Sequence, residues 1–147
     1  MEDLFAVLHV VSAVFIVGPM AILPMTAMRA IRTGQAGQVQ VLARSTQILA
    51  LLSLLVVVFG FAILGVTTHD TTITTGWVLS SLVLYAIALG LTLFLVVPTL
   101  QRAADELATA GTATTHPAPP RYPAVAMGSG VTSLLLVAVV VLMTWKP

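Results

Sequence analysis

The chain contains no cysteine. That absence removes disulfides, thiolate metal sites, cysteine nucleophiles and c-type haem attachment together. Charge is almost as scarce. Only 7% of the residues are Asp, Glu, Lys or Arg, against about 25% in an ordinary soluble domain, so most of the surface cannot face water. There is no basic run to meet a nucleic acid. Walker A, HExxH and GxSxG patterns are missing as well, and catalysis is not expected. No Asp, Glu, Lys or Arg stands in the middle of a long apolar run, so a proton-coupled exporter would lack its intramembrane carboxylate. The acidic start, Glu2-Asp3, argues against a cleaved signal peptide, whose first segment is basic.

What remains is apolar: 59% of the residues are hydrophobic, gathered into four runs. The first, residues 4–28, holds no formally charged side chain but contains His9, Pro19 and Pro24. A helix rising about 1.5 Å per residue would carry that run roughly 37 Å, enough to cross a hydrocarbon core of about 30 Å. Further runs lie at residues 45–66, 77–98 and 124–145, with Trp77 and Trp145 suited to the membrane interfaces. The expected fold is all-α: residues 1–147 form one integral membrane domain, a four-helix transmembrane antiparallel bundle, because the short early connections force sequential helices to be neighbours. Gly34 and Gly37 mark the first turn. Residues 101–110 should prolong the third helix by about three turns, and residues 111–123, rich in Pro, Thr and Gly, should be flexible. Arg29, Arg32, Arg44, Arg102 and Arg121 fall in or beside the first and third connections, with only Lys146 on the opposite side. The positive-inside rule makes those connections cytoplasmic and the topology N-out/C-out. Ala126, Ser129, Gly130 and Ser133 give the last helix a face for close packing. No repeat of about 20–50 residues is visible, nor an inverted pair of hairpins.

His9 is the leading candidate for a site, because an ionisable residue inside a span normally faces protein or a cavity. Helical spacing places it on one face with Phe5, Ser12, Ala13, Ile16 and Met20. Its imidazole either bonds Ser12, Tyr85 or a backbone carbonyl and fixes helix register, or acts as a ligand. Near the outer face it could join His69 and Asp70, and with them Glu2 and Asp3, around a divalent metal. A haem held by two histidines across the bundle is disfavoured. His116 lies on the wrong side, and the alternative axial ligands Met20 and Met127 sit nearer the inner leaflet. Gly18, Pro19 and Pro24 predict a kink that frees carbonyls near residues 15 and 20, a feature a small transporter could use.

Leu8, His9, Val10, Ala13, Gly18 and Arg29 occupy the places that make this chain resemble a group of small bacterial four-helix integral membrane proteins of unknown function. The leading histidine also resembles that of the copper-resistance D type and other cytochrome-b-like membrane bundles. The resemblance implies a multi-pass protein of a bacterial plasma membrane. Copper or haem binding would be inherited through His9 alone. The reading that follows is a non-enzymatic accessory or interaction subunit, with lipid bilayer, further copies of itself or a larger membrane complex as partners and no cofactor. The alternatives are a protein binding haem b or copper at His9 and a small transporter.

Overall fold

Lipid cannot satisfy backbone polar groups, so a long apolar run must close its hydrogen bonds within itself, as a helix does. The computed structural model describes residues 2–66, 75–110 and 122–145. Among these, four helices are long and apolar enough to cross a membrane: α1 (Asp3–Arg32), α2 (Ala36–Val66), α3 (Gly76–Ala110) and α4 (Pro123–Trp145). The helices outrun the apolar stretches. Arg29 and Arg32 belong to the last turns of α1, Arg44 lies within α2, and α3 continues to Ala110 as the sequence predicts.

The turn between α1 and α2 is set by one glycine. Gly34 adopts a φ of 70°, its N–H donates to the Ile31 carbonyl at 3.1 Å, and the Gln35 N–H donates to the Ala30 carbonyl at 3.0 Å. This pair of bonds is the Schellman closure of a helix end, and it needs a left-handed residue where glycine sits. Gly37 is not part of the turn. It lies in the first turn of α2, because the reversal is already complete at Gly34.

The helices form a ring in which α1 packs on α2, α2 on α3, α3 on α4 and α4 back on α1. At the arginine-bearing end a core of Ala27, Ala30, Val39, Ala43, Leu100 and Ala103 joins the first three helices; the alanines let backbones approach closely. A second layer of Met20, Ala50, Tyr85, Ala88 and Leu136 lies farther along the bundle. The opening of α1, up to Ser12, packs chiefly on α2.

Two π-helical turns interrupt the helices, Ala13–Val17 in α1 and Thr92–Val96 in α3. Pro19 and Pro98 each stand two residues beyond one of them. A proline ring inside a helix strikes the carbonyl four residues back, which belongs to Phe15 in one case and Phe94 in the other. Widening the turn there seats the ring without ending the helix. Phe15 and Phe94 point away from the bundle, 73% and 85% exposed. The strings Phe15-Ile16-Val17-Gly18-Pro19 and Phe94-Leu95-Val96-Val97-Pro98 therefore repeat one device. Packing repeats with it: α2 lies against Val97–Ala110, which follows the π turn of α3, and α4 lies against Gly18–Arg32, which follows that of α1. Helices α1 and α3 run in the same direction, so both π turns precede their prolines in the same sense along the bundle.

Candidate functional site at His9

The face of α1 that carries His9 turns toward the bundle. Phe5, His9, Ser12, Ala13 and Ile16 are half-buried and Met20 is buried. His9 Nδ1 lies 2.8 Å from the Val56 carbonyl of α2. A carbonyl can only accept, so Nδ1 carries the proton; in a neutral ring Nε2 is then the nitrogen with the lone pair. Val56 already has a helical acceptor role toward position 60, but a carbonyl has two lone pairs. Position 60 is glycine, and that leaves its flank open. A Cβ built at Gly60 would stand 3.2 Å from His9 Cε1 and 3.4 Å from Nδ1. The imidazole thus occupies the space of the missing side chain. Of the three partners expected for His9, the backbone carbonyl is the one used; the Ser12 hydroxyl instead donates to the His9 carbonyl at 3.0 Å.

Most other polar side chains in the spans tie helices together or bond their own turn, with Thr132 the exception. The Tyr85 hydroxyl of α3 and Ser53 Oγ of α2 are 2.6 Å apart. Ser133 of α4 donates to the Ala21 carbonyl of α1 at 3.0 Å. Pro24 leaves the Met20 carbonyl without its helical N–H donor, and the interhelical bond from Ser133 falls on the next carbonyl, that of Ala21. Thr46, Ser81 and Thr92 each bond the carbonyl four residues back at 2.8 Å. Thr132 is buried and its hydroxyl has no hydrogen-bond partner.

The close-packing face of α4 differs from the expected one. Gly128, not Gly130, marks the near approach: a Cβ there would lie 3.2 Å from Leu95 Cδ2 and 3.3 Å from Val96 Cγ2, whereas nothing approaches Gly130 within 4 Å. Ser129 is buried beside it, Ser133 is half-buried and Ala126 only partly covered. Gly18 likewise has open space around it, and Pro24 is buried.

The proposed metal partners His69 and Asp70 lie outside the described residues, as does His116. Among the described residues no group of three or more His, Cys, Asp or Glu gathers. Met20 belongs to the buried core, and Met127 is exposed on the outside of α4. One feature near the arginine end escaped the sequence reading. Gln40, Val41, Arg44 and Gln47 of α2 face Gln101 and Asp105 of α3 across a groove of about 520 Å³. The signal was present as polar residues at four- and three-residue spacing, Gln40, Arg44 and Gln47, running into an apolar span.

No curated protein and no solved structure matches the chain. Its four apolar helices are those of an integral membrane protein, and with a match over residues 3–147 the chain belongs to the family described as predicted integral membrane protein (DUF2269).

Proposed function

We propose that this protein is a non-enzymatic accessory or interaction subunit of a bacterial plasma membrane, oriented with both termini outside. The observation that supports this reading is where the intramembrane polar groups go. His9–Val56, Ser53–Tyr85 and Ser133–Ala21 each join two helices, so these polar groups fasten the bundle. The side chains turned outward, among them Phe15, Phe94, Met127 and Leu134, suit lipid, another copy of the chain or the helices of a larger complex. Purification at native abundance in a mild detergent tests the reading. The expected result is an assembly larger than one chain, of fixed stoichiometry, that survives His9→Ala. A monodisperse single chain with no companion would overturn it.

A second reading has one specific observation in its favour. A histidine whose Nδ1–H is held by a backbone carbonyl is oriented as metal-ligating histidines are, with Nε2 free to bind. His9 has that geometry, and the resemblance to copper-resistance D type bundles points to haem b or copper there. Oxidised and dithionite-reduced absorption spectra, with elemental analysis of the same sample, separate the two readings. A subunit without cofactor is colourless and free of metal. A Soret band or near-stoichiometric copper, lost in His9→Ala, would establish the second reading. A substrate-dependent phenotype without bound cofactor would point instead to transport through the proline-bearing first helix.

A further inference from the structure

We propose that the groove between α2 and α3 at the arginine-bearing end binds the headgroup of a zwitterionic phospholipid that carries a primary ammonium. The groove is lined by Gln40, Val41, Arg44, Gln47, Gln101 and Asp105. Gln40, Arg44 and Gln47 share one face of α2 by their spacing, as do Gln101 and Asp105 on α3. Gln101 Nε2 reaches Gln47 Oε1 in a long hydrogen bond of 3.5 Å, which links the two walls. Position 47 lies about 10 Å farther along α2 than position 40, so the slot runs from the helix end toward the apolar zone.

Charge selects the ligand. The slot presents one guanidinium, Arg44, on one wall and one carboxylate, Asp105, on the other. Among the described residues neither has an ion-pair partner within 4.0 Å. A phosphate seated against Arg44 gains charge-assisted hydrogen bonds, and an ammonium at Asp105 gains them on the other side. A headgroup bearing only negative charge would meet Asp105 as a repulsion. A choline has no N–H to donate, while a primary ammonium has three for Asp105 and the Gln40 amide oxygen. Leu51 and Leu55 follow Gln47 on the same face of α2 by their four-residue spacing and are exposed, an apolar surface for acyl chains to lie against.

The test is native mass spectrometry of the delipidated protein in mild detergent, titrated with phosphatidylethanolamine, phosphatidylcholine and phosphatidylglycerol of identical acyl chains. Phosphatidylethanolamine should be retained about five-fold better than either other lipid, the ratio that corresponds to the upper end for an exposed ion pair. Asp105→Asn should reduce it to the phosphatidylcholine level and raise phosphatidylglycerol, whereas Arg44→Gln, which removes the phosphate contact common to the three, should weaken retention of each of them. Arg44→Lys and Asp105→Glu keep the charges and should keep the preference, which separates lost recognition from misfolding. Equal retention of the three lipids, a preference untouched by Asp105→Asn, or retention untouched by Arg44→Gln overturns the proposal. Free phosphoethanolamine that displaces the lipid at equal concentration would also overturn it, assigning the slot to a soluble phosphoamine.

Discussion

At the scale of single residues, His9 and Gly60 form one unit. The glycine supplies the space and leaves the Val56 carbonyl open, and the histidine fills the space and uses the carbonyl. Neither change alone therefore measures the contact. Gly60→Ala puts a methyl against the ring and should cost about 1 kcal/mol, and His9→Ala should cost a similar amount by losing an interhelical bond. In the His9→Ala background the methyl of Gly60→Ala meets no ring, so the second substitution should cost nothing or stabilise. A double-mutant cycle from reversible unfolding in detergent reads that coupling; additive costs would show the pair to be independent. His9 was legible in the sequence as an anomaly, an imidazole in an apolar run. Gly60 was not, because one glycine among Val, Phe, Ala and Leu carries no mark of the neighbour it admits. For the same reason the sequence could name Gly130 as a packing position on α4 while the contact was made at Gly128. Both lie in one short string, and only the partner helix decides which faces inward.

At the scale of the helix, the two π turns keep two packing faces in register. In α3 the Tyr85 hydroxyl meets Ser53 before the π turn, while Leu100, Ala103 and Ala104 are buried after it. A π turn holds one residue more than an α turn, and one residue rotates an α-helix by about 100°. The extra residue is the exposed one, Phe94, and the proline seats the widened turn. Deleting Phe94 together with Pro98→Ala should return the segment to α geometry with both faces still directed inward. The expected loss is within about 1 kcal/mol, as for a surface change. Deleting Ala88, which is buried and lies outside the π turn, in the same Pro98→Ala background should turn Tyr85 away from Ser53 and abolish cooperative unfolding. Circular dichroism and thermal melts in detergent distinguish the pair; equal damage from both deletions would mean that the π turn is not the source of the register. The prolines announced a disturbance of the helix. The form it takes, a widened turn, depends on packing beyond the local string. The likeness of the two proline strings escaped notice because they lie far more than the roughly 20–50 residues of stacked repeats apart, and because it is confined to five residues.

At the scale of the whole molecule, four spans were readable from apolar length alone, since lipid imposes that length on any helix that crosses it. The ring of contacts was less readable. Helices that are apolar all round carry no stripe to declare an inward face, and the polar cross-links that choose the faces are few. Charge placement is the exception, and it carries the orientation. The topology gathers Arg29, Arg32, Arg44 and Arg102 at one end of the bundle, and Asp3 stands at the start of α1 at the other. By the positive-inside rule the arginine end is the one expected inside. Because the chain has no cysteine, single cysteines report this without background. Gln35→Cys, on the exposed turn between α1 and α2, should react with a membrane-impermeant maleimide only after the cells are opened. Asp3→Cys should react in intact cells. The reverse pattern would invert the orientation and carry the Arg44–Asp105 groove to the outer leaflet with it. The headgroup preference itself would remain, because it rests on the charges in the slot and not on the side of the membrane they face.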